Sequence, residues 1–345
     1  MYYILLSLIF IPIILIFNSF MVKNKFLLNY HGEKHQKFTS NENIPLIGGF
    51  FIIIIFLIVL FEENIFFLIS IILTFSLGLF SDLNKIISPN KRLLLQVIIV
   101  LFLIIFTNLE INSTRVIILD RFLENNIFNI FFVCFCVLVL INGTNFIDGL
   151  NGLSLGYYFI VTVALLNNNF YYSNLLQGNE LLYLSCYLFI FLIFNLFNLF
   201  FIGDSGSYSL GMIFSFLLIN IYTVNSNISP FYIILLIWYP CFELLFSIVR
   251  KFNINFSPAK PDVAHLHQLI YNLIKNKFNF SKLKSNNISS ILILLFNSFS
   301  IFLGSIDIYN TQNQIILIIM NVLFYTIIYK QLINYNDKSK IKKFN

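Results

Sequence analysis

Apolar runs of about 15–20 residues follow one another along almost the whole chain and leave little polar sequence between them. A bilayer core about 30 Å thick is crossed by a helix of about 20 mostly apolar residues. Eleven runs approach that length: about 2–21, 45–61, 65–80, 93–107, 126–141, 153–168, 180–197, 208–224, 229–248, 289–304 and 314–331. Glu62–Asn64 alone separates the second from the third, which predicts a tight helical hairpin. Only 10% of residues are charged, against about 25% in a soluble domain. The expected fold is therefore all-α and polytopic, with about eleven transmembrane helices. It is read as one integral membrane domain over 1–345, whose longest polar stretch, 249–288, forms a cytoplasmic loop. The four cysteines fall inside apolar runs, and Cys134 and Cys136 are two residues apart, so a helix points them in different directions. No disulfide framework or thiolate metal site is indicated.

Orientation follows from where the basic residues fall. The first run has no basic residue ahead of it and no small-residue cleavage site, so it reads as a span rather than a signal peptide. Lys23 comes after that run, which predicts the N-terminus outside and the first loop inside. The inner segments are then about 22–44, 81–92, 142–152, 198–207, 249–288 and 332–345. Counting Lys330 with the last, they hold 19 of the 21 Lys and Arg; only Arg115 and Arg121 lie outside. The C-terminus is expected in the cytoplasm. On this reading the net charge of +6 records topology and gives no reason to expect a nucleic-acid partner.

Two inner loops carry no basic residue, and both carry an aspartate. Asp148 lies in Asn142-Gly143-Thr144-Asn145-Phe146-Ile147-Asp148-Gly149-Leu150-Asn151-Gly152-Leu153, and Asp204 in Gly203-Asp204-Ser205-Gly206-Ser207. A third, Asp82, follows Ser81 at an inner helix end, with Lys85, Lys91, Arg92 and Gln96 beyond it. Each has a structural explanation: Asp and Asn cap helices and form turns, and Lys and Arg anchor helix ends at the interface. Yet a turn takes four residues, and twelve of such glycine and asparagine density point to a functional loop. Three carboxylates on one aqueous face suit a divalent cation and a phosphate-bearing substrate. Asp204 supplies an oxygen ligand, with serine hydroxyls and a helix N-terminus near anionic phosphate. The loop after the ninth run adds Lys260-Pro261-Asp262-Val263-Ala264-His265-Leu266-His267-Gln268. Histidines at i and i+2 diverge on a helix, which disfavours a two-histidine zinc site. Imidazoles and Lys260 suit a pyrophosphate instead.

In order along the chain, Pro45-Leu46-Ile47-Gly48-Gly49, Ser81-Asp82, Asn145-Phe146-Ile147-Asp148-Gly149, Gly203-Asp204-Ser205-Gly206-Ser207 and His265-Leu266-His267 resemble the motifs of the polyprenyl-phosphate N-acetylhexosamine-1-phosphate transferases, glycosyltransferase family 4. The resemblance spans roughly His35 to Gln268. It implies ten or eleven transmembrane helices, a cytoplasmic active site in the inner membrane, and Mg²⁺ dependence with Mn²⁺ as an admissible substitute. The implied substrates are a UDP-N-acetylhexosamine and a polyprenyl phosphate lipid, such as undecaprenyl phosphate. Phosphosugar transfer gives polyprenyl-pyrophosphoryl-sugar and UMP and initiates a lipid-linked surface glycan of O-antigen or lipopolysaccharide type. A homodimer is compatible with it. The implied roles are Mg²⁺ ligation by Asp204, a nucleotide-side or metal-side place for Asp148 and Asn145, and pyrophosphate or sugar contacts for His265, His267 and Lys260. Asp82 is implied beside the lipid phosphate as positioning group or proton acceptor, with Lys91 and Arg92 holding phosphate.

Three positions depart from the family pattern. Ser81 stands where paired aspartates are usual, although Asp82 can also align with the first of that pair. Asn151 replaces a second aspartate in the glycine-rich loop, and Gln268 a common histidine. Histidines split by Leu266 resemble the GlcNAc-1-phosphate transferase branch rather than phospho-MurNAc-pentapeptide transferase, whose acceptor-peptide site is not indicated. A transporter of anionic or lipid-linked solutes is the rival of another class. It predicts helices broken near mid-membrane and an internal repeat, whereas the polar patches here sit at run ends and the halves show no repeat.

Overall fold

The computed structural model describes residues 2–28, 44–59, 64–86, 88–168, 178–253, 255, 257 and 264–341. Lys260, expected on the pyrophosphate side, lies outside them, as does His35, where the family resemblance begins. Fourteen helices are described: α1 (Tyr2–Lys23), α2 (Gly48–Val59), α3 (Ile65–Asp82), α4 (Pro89–Thr107), α5 (Ile117–Leu123), α6 (Asn126–Ile147), α7 (Leu153–Asn167), α8 (Gly178–Leu196), α9 (Gly203–Val224), α10 (Pro230–Leu236), α11 (Trp238–Asn253), α12 (Leu266–Phe278), α13 (Lys282–Gly304) and α14 (Thr311–Ile341). Among the described residues there is no strand, only two isolated bridges, Leu28 with Pro45 and Leu46 with Phe201. Each of the eleven apolar runs overlaps a helix or, for α10 and α11, a helix pair, and the second run, 45–61, is helical only from Gly48 to Val59 among the described residues. α5 and the amphipathic α12 are additional.

Among the described residues, six helices are long and apolar enough to cross a membrane: α3, α4, α6, α9, α13 and α14. A seventh span results if the pair α10 and α11 is one broken crossing, bent by 77°. Apolar stretches of α1, α2, α7 and α8 are shorter. The break has a local cause. Pro240 has no N–H to offer the carbonyl of Leu236 four residues back, and its ring crowds that carbonyl. The Tyr157 hydroxyl of α7 donates to the Leu236 carbonyl instead, at 2.9 Å. Backbone freed inside an apolar bundle must be re-paired by a neighbour, so this bend is held by tertiary structure.

α9 is the central element, buried all round along most of its length, as a helix must be when neighbours cover every face. α2, α3 and α6 pack on it. Glycine allows the closest of these approaches: a Cβ on Gly78 of α3 would lie 2.4 Å from the Ser205 Cα, so the two backbones touch. The segments entering α2 and α9 run side by side, with Gly48 N donating to Phe201 O at 3.0 Å and Phe201 N to Pro45 O at 2.9 Å.

Helix direction then gathers the site. α3 and α6 end, and α4 and α9 begin, at one end of the bundle, so Asp82, Arg92, Asn145, Asp148 and Asp204 share that end. At the opposite end of α9, Arg115 clasps the loop before α10 to the connection between α13 and α14. Its guanidinium donates to Asn227 O at 2.7 Å, Ile228 O at 3.0 Å, Tyr309 O at 3.2 Å and Thr311 Oγ1 at 2.7 Å.

Candidate active site

The first-turn N–H groups of a helix have no partner within it. At α9 that deficit is met by another helix. Asp82, the last residue of α3, accepts from Asp204 N through Oδ1 at 2.8 Å and from Ser205 N through Oδ2 at 3.0 Å. The sequence had suggested phosphate at this N-terminus. In the structure the Asp82 carboxylate occupies the position an anion would take. Gly203 makes the approach feasible: its φ is +74°, and a Cβ there would lie 2.7 Å from Asp82 Oδ2. The Gly203–Ser207 segment is thus the first turn of α9 rather than a loop before it, and Ser205 is wholly buried.

Capping fixes the Asp204 side chain in a polar cluster drawn from four helices. Its Oδ2 accepts from Ser81 Oγ of α3 at 2.6 Å, from Arg92 of α4 at 3.0 Å and from Tyr208 Oη at 3.4 Å. Its Oδ1 accepts from Asn145 Nδ2 of α6 at 2.7 Å, and that amide also donates to Ser207 Oγ at 3.0 Å. Arg92 reaches Ser81 Oγ at 2.9 Å as well. Ser81 therefore accepts from a cation and donates to a carboxylate, which an ionised aspartate, an acceptor only, could not do. The Asp204 and Arg92 side chains remain 25% and 26% exposed, so a substrate can reach the pair. Lys91, on the neighbouring position of the same helix turn, is exposed to solvent. Of the two basic residues expected to hold phosphate, only Arg92 joins the cluster.

Asp148 caps the end of α6 and accepts from Ser154 Oγ at 2.8 Å. Burial pushes its carboxyl well above the usual carboxylate range; the Ser154 hydroxyl opposes this, and the charges of Asp204 and Asp82 add to it. The unfolded chain loses this proton near the ordinary aspartate value of about 3.9, while the folded chain keeps it to higher pH. The contribution to stability is thus complete below the unfolded value and lost as pH rises through the folded one. Asp148→Asn mimics the protonated acid and retains an acceptor for Ser154. In EDTA-treated protein the variant should unfold at a higher temperature than wild type at neutral and alkaline pH, and at the same temperature at acid pH. An equal midpoint across the whole range would refute the assignment. Asn151, in place of the usual second aspartate, is buried with its backbone N–H on Asn286 Oδ1 at 2.7 Å and its amide on Asn198, in a structural network.

The histidines form a neighbouring cluster. His265 is the N-cap of α12 in an extended conformation and His267 lies in its first turn, so the two are not both helical. Their rings stack, with centroids 5.6 Å apart and planes at 12°, instead of diverging. Phe146, between Asn145 and Asp148, meets the His265 ring edge-on at 5.0 Å. A Cβ on Gly149 would lie 2.5 Å from His267 Nε2, so the histidines rest on the Asp148 loop. Glu243 of α11, which the sequence reading did not single out, accepts from His265 Nδ1 at 3.0 Å and from Tyr325 Oη of α14 at 2.8 Å. A signal existed, since Glu243 is the lone charged residue of the run 229–248, and such residues are costly inside a membrane. Tyr325, one of 18 tyrosines, carried none.

A helical membrane protein with carboxylates, an arginine and an asparagine converging at one end of its bundle belongs to the class of integral membrane proteins with a polar site at the bundle end. Comparison with known proteins narrows the class. Residues 64–222 match the family Glycosyl transferase family 4. The chain is also similar to the undecaprenyl-phosphate alpha-N-acetylglucosaminyl 1-phosphate transferase of Thermotoga maritima, at 31% identity over 228 residues, covering 66% of this chain and 67% of that protein. The chain belongs to glycosyl transferase family 4.

Proposed function

We propose that this protein transfers N-acetylhexosamine-1-phosphate from a UDP-sugar to polyprenyl phosphate, releasing UMP and initiating a lipid-linked surface glycan. The observation that carries this reading is the Asp204 cluster, in which α3, α4, α6 and α9 bring Ser81, Arg92, Asn145 and Asp204 together beside Asp82. The similarity to an N-acetylglucosaminyl 1-phosphate transferase favours a plain amino-sugar donor over the peptidoglycan transferase reaction. The partition of basic residues supports a cytoplasmic site in the inner membrane, with eleven crossings and the N-terminus outside.

The donor set fits Mg²⁺. This ion is held through one or two carboxylates, with phosphates and water completing its shell. Asp204 is a hard oxygen donor with the Asn145 amide beside it, and a cation there would offset both the burial and, secondarily, the neighbouring carboxylate charges that push the Asp148 carboxyl up. Among the described residues no three His, Cys, Asp or Glu side chains lie close enough to cage an ion alone, so substrate phosphates belong in that shell. Bound there, Mg²⁺ would neutralise charge on the nucleotide phosphates and ease departure of UMP.

Both substrates are anionic, and the residues here manage that repulsion. Arg92, already at hydrogen-bond distance from Asp204, can turn its remaining N–H groups to a phosphate. The lipid phosphate is ionised at neutral pH and can attack the β-phosphorus directly. A base is not required, which agrees with an Asp82 carboxylate committed to the α9 cap. Asn145 holds Asp204 in place, and His265 and His267 offer donors on the Asp148 side.

The test is purified protein with undecaprenyl phosphate, Mg²⁺ and radiolabelled UDP-GlcNAc. UMP and a lipid-soluble label should form in equal amounts. Absence of both with every UDP-amino sugar tried would overturn the proposal.

A further inference from the structure

Glu243 is 1% exposed, deep between α11, α12 and α14, and the reaction just described gives it no task. Burying a carboxylate is costly unless every oxygen is paired. Here each oxygen is: Oε1 takes His265 Nδ1 at 3.0 Å and Leu266 N at 3.3 Å, and Oε2 takes the Tyr325 hydroxyl at 2.8 Å. The pairing joins three helices through a single carboxylate. The Tyr325 bond prevents the carboxylate from rotating, and the Leu266 bond ties it to the first turn of α12.

We infer that Glu243, steadied by Tyr325, is a positioning residue that locks His265 with its proton on Nδ1 and favours a second proton on Nε2. A ring anchored through Nδ1 can act on a substrate only through Nε2, and a carboxylate behind it makes that atom a hydrogen-bond donor to an anion. The ligand chemistry is a phosphate oxygen, which rests on the transferase reading above. The groups facing the ring are Glu243 and Tyr325 at its anchored side, His267 stacked on it, and Phe146 at its edge, with the Lys251 ammonium 5.9 Å from the Phe146 ring. Phe146 and Gly149 bracket Asp148, so the anchored imidazole is a wall of the same site. The carboxylate thus reaches the chemistry through His265 without touching substrate.

Two measurements test this on the full-length protein in detergent. In ¹⁵N-histidine-labelled protein, with His265 assigned by its loss in His265→Asn, the Nδ1–H form should dominate. In Glu243→Gln, whose amide oxygen still accepts but carries no charge, the second proton should be lost at lower pH than in wild type. An Nε2–H tautomer in wild type would overturn the inference whether or not the protein turns over UDP-GlcNAc. If the Nδ1–H form is found and no UDP-sugar reacts, the lock stands and only the transferase reading falls. In the transfer assay, Glu243→Gln should lower kcat by about 10–100-fold with little change in KM, and move the alkaline limb of the pH–rate profile to lower pH. Glu243→Asp should restore part of the rate. A folded Glu243→Gln variant within about twofold of wild type, or one slowed with an unmoved alkaline limb, would sink the positioning role. Should Glu243→Gln not fold, Tyr325→Phe decides by the same two readouts, with a smaller loss in the same direction.

Discussion

Asp204→Asn should reduce UMP release by about 10²–10³-fold or more while the protein still folds. The carboxylate is the acceptor for Ser81, Arg92, Asn145 and Tyr208 at once. An amide keeps the volume and one acceptor oxygen, but it places an NH₂ among groups that are themselves donors. It also removes the charge that would hold a divalent cation and that balances Arg92. The cap of α9 is untouched, since Asp82 bonds the backbone N–H of residue 204 and not its side chain. Thermal unfolding in detergent should therefore change little while the transfer assay collapses. Wild-type turnover in this variant would remove Asp204 from the chemistry.

Asp82→Ala should have the opposite signature, a loss of stability that takes activity with it. Two buried backbone donors at the start of the central helix would lose an ionic acceptor, and the helix dipole would lose its counter-charge. Charge-assisted hydrogen bonds and caps of this kind are worth about 2–4 kcal/mol together. The unfolding midpoint of Asp82→Ala should fall clearly below that of wild type, with Asp82→Asn in between because its one oxygen can still accept. If Asp82→Ala unfolds like wild type yet is inactive, the residue acts in the chemistry and the cap is incidental. If it is neither unstable nor inactive, both assignments are wrong.

The apolar runs were legible as helices because the bilayer length and the cost of unpaired backbone leave few alternatives. Their polar ends were not. The run expected at 208–224 is a helix from Gly203, and the one expected at 93–107 starts at Pro89. In both, hydropathy excludes residues that a helix accepts readily in its first turn, where Asp204 and Arg92 sit. The bend at Ile237 was likewise hidden inside one apolar run, although Pro240 was its mark.

Asp82, Asn145, Asp148 and Asp204 could be picked out because polar groups at the ends of apolar runs need a reason to be there. Their division of labour could not. Nothing local tells Asp82 that it will cap α9, a bond made 122 residues away because Gly78 and Gly203 let two backbones close. The Glu243–His265–Tyr325 set is of the same kind, with partners 22 and 82 residues apart in sequence.

Sequence alone thus determined that this chain is a helical membrane protein and singled out its acidic patches as candidates for a site, because hydrophobicity, charge partition and motif order are properties of the string. Tertiary structure alone decided which carboxylate caps, which is held ready at the cluster and which anchors an imidazole. Those roles depend on hydrogen-bond geometry within about 3 Å, and helix packing sets that geometry between residues the sequence holds far apart.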